Sequence, residues 1–121
     1  MQEPVDVSSL VLLRQLQEPG KPDVVARIIG RFLEETDERV EALRAAAETG
    51  DPTKLEDAAH ALKGIAGTVG ANEILKLAVS LEQIGRDGRT DGAADVLIDL
   101  ELAVRRARPI FDRLRQPAQS E

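Results

Sequence analysis

The sequence predicts an all-α protein, an antiparallel up-and-down four-helix bundle with a short extra helix at its N-terminus. Apolar residues recur at steps of three and four in five segments, a spacing that places them on one face of a helix. No segment alternates apolar and polar residues with the period of two that is typical of a half-buried strand. Short loops rich in glycine, proline and aspartate separate the segments, which favours antiparallel neighbours.

The first two predicted helices differ in length and in role. In the short first helix, Leu10, Val11 and Leu13 are expected to cover one end of the bundle. The second begins at Pro22, because proline suits a first helical turn, and it carries one long apolar stripe. The predicted helices cover about residues 7–17, 22–48, 52–69, 71–86 and 92–115, and residues 116–121 are expected to form a disordered tail.

The later helices are delimited by their own start and stop residues. Asp51 followed by Pro52 predicts the start of the third helix, since aspartate caps helices and proline fits the first turn. Gly70 predicts its end, because glycine favours the residue after a helix. Pro109 lies inside the fifth helix and is expected to kink it or to mark the point where it frays.

The composition excludes several classes of function. The 121 residues include no cysteine and a single histidine, so a disulfide framework and the usual zinc ligands are both missing. Two phenylalanines are the only aromatic residues, which leaves few surfaces on which nucleic-acid bases could stack. The net charge of -6 argues against binding to DNA or to an anionic membrane. We therefore expect no metal, no nucleic acid and no membrane among its ligands.

The N-terminal sequence bears on location. MQEPVDVSSL has neither the basic start nor the apolar stretch of a signal peptide. Apolar runs elsewhere are too short to span a membrane. We expect a cytoplasmic, monomeric, one-domain protein.

The outer face of the third predicted helix carries an unusual group of residues. On a helical wheel His60 lies roughly 165° from the apolar stripe, so it is expected to face solvent. Gly64 and Gly67 follow on the same face, although a glycine inside a helix costs about 1 kcal/mol relative to alanine. Glycine permits close approach by another molecule, and Lys63 places a cation within one turn of the imidazole. Imidazole titrates near neutral pH, so this group suits a side chain that bears a phosphate transiently.

The segment AHALKGIAGTVGANE resembles the motif of the histidine phosphotransfer (HPt) domain of two-component phosphorelays. The residues that carry the resemblance are His60, Leu62, Lys63 and Gly64, followed by Gly70 six residues after Gly64. A long amphipathic helix before the motif and a helix containing Leu81-Glu82 after it extend the resemblance over essentially the whole chain.

The resemblance implies a phosphocarrier. His60 would accept a phosphoryl group from the aspartate of one response-regulator receiver domain and donate it to the aspartate of another. Lys63 would neutralise the phosphate, and Gly64 would permit receiver docking. The receiver would supply Mg²⁺, so no cofactor is expected in this chain and no intrinsic kinase or ATPase activity. Receiver domains, and a histidine kinase, are the implied partners.

Four further residues have both a functional and an ordinary interpretation. Glu82 and Arg86, one turn apart on the fourth helix, would form only a surface ion pair, and Val79 would be a stray exposed valine. Alternatively, Glu82 orients the imidazole through its second nitrogen, Arg86 adds positive potential, and Val79 joins an apolar docking patch. Gly67 either belongs to that docking face or leaves packing space for a neighbouring helix.

Other functions remain open at this point. The chain could be an adaptor that binds receivers without being phosphorylated, although His60 favours a carrier. It could also be the phosphoacceptor domain of a larger hybrid or chemotaxis-type histidine kinase. An enzyme acting on a small molecule is the least favoured, because no cluster of acid, base and nucleophile stands out elsewhere.

Overall fold

The structure of the chain is a computed structural model that describes residues 3–116. Within this range the regular secondary structure is helical, with no strand, so the predicted all-α class is confirmed. The predicted tail lies, apart from Gln116, outside the described residues. The five helices are α1 (Ser8–Leu16), α2 (Val24–Thr49), α3 (Pro52–Val69), α4 (Asn72–Arg86) and α5 (Ala93–Arg115), and their ends differ from the predicted ends by at most two residues.

Helices α2 to α5 form the bundle. Helix α3 packs against α2 and α4, and α5 packs against the same two helices. Helices α3 and α4 run antiparallel, as do α2 and α5, because the residue numbers of the ion pairs between them rise on one helix as they fall on the other. These pairs are Glu56–Arg86 and Lys63–Glu82 between α3 and α4, and Asp37–Arg108 and Arg44–Glu101 between α2 and α5.

The core between these helices is built from aliphatic side chains. Its two aromatic rings, Phe32 and Phe111, lie 5.0 Å apart between α2 and α5. Burying each large aliphatic side chain contributes about 1.5–3 kcal/mol, so this interior supplies most of the stability of the bundle. The largest fully buried aliphatic side chains are Ile29, Leu43, Leu55, Leu62, Ile74, Leu81 and Leu100.

Capping residues set the starts of α2 and α3. The Asp23 carboxylate accepts a hydrogen bond of 3.0 Å from the backbone N–H of Ala26, so α2 begins after Asp23. The prediction that Pro22 occupies the first turn is therefore wrong, since the aspartate beside it supplies the cap. Asp51 caps α3 in the same way, with Pro52 in the first turn as predicted.

Helix α1 covers the bundle less completely than the sequence predicts. Leu10 is buried, but Val11 and Leu13 remain 39% and 38% exposed. A helix of nine residues that lies on the bundle along one edge can bury only one line of side chains. Arg14 holds this helix in place, because its guanidinium forms an ion pair of 2.9 Å with Asp23.

The N-terminal segment also braces the turn between α3 and α4. The backbone N–H of Asp6 donates to the carbonyl oxygen of Gly70 over 2.8 Å, and that of Glu73 donates to Pro4 over 2.9 Å. Gly70 ends α3 with a φ of 77°, and a Cβ there would lie 1.9 Å from the Asp6 oxygen. Glycine is thus required at this turn by both conformation and contact.

Helix α5 continues through Pro109 to Arg115, so the prediction that the helix frays at this proline is wrong. Pro109 lies on the exposed side of α5, where water can satisfy the carbonyl that loses its partner. None of the helices in residues 3–116 is both long and apolar enough to cross a membrane.

Candidate functional site

His60 projects from the middle of α3 into solvent. Its neighbours Ala59 and Leu62 are buried, as helical periodicity requires of residues on the inner face. The His60 side chain itself is 68% exposed. The imidazole therefore stands on a rigid helix that is anchored by its inner face, and it is accessible to another macromolecule.

Glu82 of α4 holds one edge of this imidazole. The distance from His60 Nδ1 to Glu82 Oε2 is 2.5 Å, which is a short hydrogen bond. The Glu82 side chain is only 4% exposed, so the interpretation of Glu82 and Arg86 as a plain surface pair is wrong. Glu82 lies at the edge of the apolar stripe of α4, and the packing of α3 against α4 covers that edge.

Two cations complete the surroundings of the Glu82 carboxylate. Lys63 Nζ donates to Oε1 over 2.8 Å, and the Arg86 guanidinium lies 3.3 Å from Oε2. Arg86 also reaches across to α3, where its Nε is 3.2 Å from Glu56 Oε2. A buried charge needs such partners, because an unpaired carboxylate would be strongly disfavoured in this position.

These contacts keep Glu82 ionised. The hydrogen bond from Lys63 is the largest influence that lowers the pKa of Glu82 below its ordinary value. The hydrogen bond from His60 and the positive charges of Lys63 and Arg86 lower the pKa further, while burial acts in the opposite direction. The carboxylate is therefore an anion at neutral pH, and it can only accept hydrogen bonds.

The state of Glu82 fixes the tautomer of His60. Because the carboxylate accepts, the Nδ1 of a neutral His60 ring must carry the proton and donate it in the 2.5 Å hydrogen bond. The other nitrogen, Nε2, then bears the lone pair. The ring is largely exposed, so an electrophile brought by another molecule can meet a nucleophilic nitrogen of defined orientation.

Two glycines on the outer face of α3 leave the surface that follows His60 without side chains. A Cβ added at Gly64 or Gly67 would meet nothing within 4 Å, and both residues are exposed. The alternative that Gly67 leaves packing space for a neighbouring helix is therefore wrong. No contact among the described residues requires glycine at either position, and the surface at both residues is open.

The two other residues predicted to dock a partner lie on the adjoining side of α4. Val79 is 45% exposed, three residues before Glu82. The Arg86 side chain is 55% exposed although it is tied to Glu56 and Glu82. Both side chains are therefore accessible on α4, but Arg86 also has a structural role that the sequence did not predict.

A third glycine near the site has the opposite environment. Gly85 is buried in α4, and a Cβ there would lie 2.7 Å from the Glu56 nitrogen and 2.7 Å from the Pro52 oxygen. The α3 and α4 backbones thus touch at this point. Neither Gly85 nor Glu56 was predicted to matter, and a glycine three residues after Glu82 inside a helix was the one available signal.

The sequence model of the Hpt domain family matches residues 27–109, which is more than half of the chain. The chain belongs to the Hpt domain family. The match contains α3 and α4 in full, so all seven residues predicted for the site lie within it.

Individual Hpt relatives agree with this assignment. The chain is 27% identical over 74 residues to histidine-containing phosphotransfer protein 5 of Arabidopsis thaliana. That match spans 59% of this chain and 47% of the plant protein, so the chain matches about half the length of that relative.

Two solved structures resemble the whole bundle. Histidine-containing phosphotransfer protein B (HptB) of Pseudomonas aeruginosa PAO1 superposes with a TM-score of 0.85 at 25% identity, covering 98% of this chain and all of the other. The maize protein ZmHP2 superposes with a TM-score of 0.77 at 24% identity, covering 93% and 90% of the two chains, and it supports the fold alone.

Within this Hpt domain the structure brings together the predicted residues His60, Lys63 and Glu82 in one hydrogen-bonded group. Lys63 was expected to reach towards a phosphate, whereas its ammonium here is bonded to Glu82. In residues 3–116 no group of three or more acidic, histidine or cysteine side chains is arranged to hold a metal ion.

Proposed function

We propose that this Hpt domain is a phosphocarrier in which His60 takes up a phosphoryl group on Nε2 and passes it between aspartates of response-regulator receiver domains. The observation that carries the proposal is the contact of 2.5 Å between His60 Nδ1 and the buried Glu82 carboxylate. This contact supports one tautomer and leaves Nε2 free in solvent. A phosphocarrier needs both features, whereas an ordinary surface histidine needs neither.

The transfer step conserves atoms and charge. The Nε2 lone pair attacks phosphorus in the aspartyl phosphate of a receiver, and the phosphorus–oxygen bond to that aspartate breaks. The electron pair of this bond returns to the aspartate as a carboxylate. Nδ1 keeps its proton, so the phosphorylated ring is cationic, and the anionic Glu82 stabilises it. The reverse step delivers the phosphoryl group to a second aspartate.

Lys63 and the glycines support the approach of the phosphoryl group. An ammonium has three donors, and one of those of Lys63 is engaged by Glu82. The others are available to phosphoryl oxygens at Nε2. The open surface at Gly64 and Gly67 gives a receiver access, and Val79 and Arg86 extend the docking face.

The partner supplies the remaining chemistry in this proposal. The receiver brings Mg²⁺ and most of the stabilisation of the transition state, so the chain needs no cofactor and has no kinase or ATPase activity of its own. We propose a histidine kinase as the origin of the phosphate. We also propose that the chain is monomeric and that it lies in the cytoplasm. A role as an unphosphorylated adaptor is disfavoured, because docking alone does not need a buried carboxylate against the imidazole.

A labelling experiment tests the proposal. Receiver domains loaded with radiolabelled acetyl phosphate and Mg²⁺ are mixed with the chain, and we expect an acid-labile, base-stable label on it. His60→Gln should remove the label, whereas a substitution on the opposite helix, such as Ala94→Gln, should leave it unchanged. An unlabelled wild type with a panel of receivers, or equal labelling of the His60→Gln variant, would contradict a role for His60 in phosphate transfer.

A further inference from the structure

Helices α3 and α4 make a backbone contact at Gly85. An added Cβ at this position would lie 2.7 Å from the nitrogen and 3.0 Å from the Cα of Glu56, and 2.7 Å from the carbonyl oxygen of Pro52. All three neighbours are backbone atoms, so they cannot rotate away as the end of a side chain can. Ordinary contact begins at 3.4 Å, so a side chain here would push the two helices apart by several tenths of an ångström.

This contact lies beside the groups that hold His60. Gly85 follows Glu82 by three residues on α4, and Glu56 precedes His60 by four residues on α3, so each is one helical turn from a partner in the hydrogen bond. Arg86 bridges the two helices at the same place, since it pairs with Glu56 of α3 over 3.2 Å and with Glu82 of α4 over 3.3 Å.

Glu82 and His60 lie on the two helices that meet at this contact, so a change in the spacing of the helices would act on the distance between them. The hydrogen bond between them measures 2.5 Å, and the Glu82 side chain is buried and paired with Arg86 of its own helix, so it has little freedom to follow an imidazole that moves with α3. A displacement of a few tenths of an ångström therefore lengthens this bond directly. Small misplacements of reacting groups are costly, because 1 Å can reduce a rate by about 100-fold.

We propose that the close contact between α3 and α4 at Gly85 is a positioning element, which holds Glu82 in place and so keeps His60 as the Nδ1–H tautomer. At this contact Gly85 packs against the backbone of Pro52 and Glu56, and Arg86 bridges the two helices. Gly85 does not touch the reacting atoms and acts through Glu82. The effect on phosphoryl transfer rests on the proposed function, whereas the effect on the tautomer does not.

The tautomer of His60 separates positioning from general stability. The ¹⁵N chemical shifts of the ring nitrogens report which one carries the proton, and they can be recorded on the folded protein in alkaline solution. In the wild type we expect the Nδ1–H form to predominate. In Gly85→Ala we expect a clear shift towards the Nε2–H form that isolated imidazole prefers, together with roughly tenfold slower transfer from a phosphorylated receiver.

Two control variants define the effect. Gly30→Ala is a matched glycine substitution inside α2, where a Cβ would meet only the Arg115 side chain at an ordinary 3.6 Å, and it should leave the tautomer unchanged. In a Glu82→Ala background the tautomer preference should already be lost, so adding Gly85→Ala should change neither the ¹⁵N shifts nor the transfer rate further.

A folded Gly85→Ala protein with an unchanged Nδ1–H population would overturn the proposal, and so would an equal effect of Gly85→Ala with and without Glu82. If Gly85→Ala does not fold, Glu56→Gln decides, because it weakens the Arg86 bridge without crowding the helices. A shift of the tautomer in the same direction supports the positioning element, and no shift overturns it. If the substitution shifts the tautomer but the chain accepts no phosphate, the positioning element is supported and only the carrier role is refuted.

Discussion

The helix pairs α2–α5 and α3–α4 are both joined by ion pairs, and the two differ in how far the charges are removed from water. Between α2 and α5, Asp37 and Arg108 lie 2.7 Å apart with side chains 62% and 37% exposed. Between α3 and α4, Lys63 and Glu82 lie 2.8 Å apart, but the Glu82 side chain is only 4% exposed. The two distances are nearly equal, so burial and not distance distinguishes the two regions.

The difference in burial separates an ion pair that adds little to the fold from one that belongs to the site. Exposed ion pairs contribute about 0–1 kcal/mol, so the α2–α5 pair is dispensable. A buried carboxylate is rarely the most stable choice, because an apolar side chain of similar volume often stabilises a protein as much or more. The presence of Glu82 is therefore explained by what it does to His60, and its cationic partners are explained by the need to satisfy its charge.

Removal of one cation from each region should give the largest contrast. Lys63→Met keeps the apolar part of the side chain and leaves Glu82 with His60 and Arg86 alone. We expect it to lower the free energy of unfolding by about 1–2 kcal/mol, the scale of a hydrogen bond to a charged group reduced for partial exposure. Arg108→Met should change this free energy by less than about 0.5 kcal/mol. Urea unfolding compares the two, and equal losses would show that burial does not separate the regions.

The pH dependence of stability should show the contribution of the buried Glu82 carboxylate. The pKa of Glu82 is lowered from its ordinary value of 4.5 in the folded protein, chiefly by the hydrogen bond from Lys63. The ionised carboxylate therefore stabilises the fold fully above pH 4.5, and this contribution is lost as the pH falls through the folded pKa. Urea midpoints measured from pH 7 downwards should fall less steeply for Glu82→Gln than for the wild type. A Glu82→Gln curve parallel to the wild type would refute this linkage.

A small gain in stability is expected on the open face beside His60. Gly64→Gln adds a side chain where a Cβ meets nothing within 4 Å, and glutamine is the better helix former, so the free energy of unfolding should rise by about 0.5 kcal/mol. Transfer from a phosphorylated receiver should nevertheless slow several-fold, because the added side chain occupies the approach to Nε2. Ala94→Gln on α5 is the matched control. Unchanged transfer in Gly64→Gln would show that close approach at this residue is not needed.

Features that depend on a single helix could be predicted from the sequence. The exposure of His60 follows from helical periodicity, and Asp51 and Gly70 mark the ends of α3 by their own capping chemistry. The open surface at Gly64 also follows, because the wheel places this residue on the outer face.

Features that depend on the distance between two helices could not be predicted in this way. The burial of Glu82 requires α3 to cover the edge of the α4 stripe, and the role of Gly85 requires two backbones to touch. Periodicity within α4 places both residues near that edge, but it does not give the depth at which the helices pack. The exposure of the α1 side chains could not be predicted for the same reason. The sequence shows that α1 is apolar, but it does not show how much of this helix the bundle can cover.

The most direct test of the central claim identifies the nitrogen of His60 that carries the phosphoryl group. The chain is labelled with ¹⁵N in its histidine, phosphorylated by a receiver domain, and examined by ³¹P and ¹⁵N NMR for the phosphorus–nitrogen coupling. We expect a phosphoryl group on Nε2, with Nδ1 still protonated and bonded to Glu82. A phosphoryl group on Nδ1, or on any residue other than His60, would contradict it.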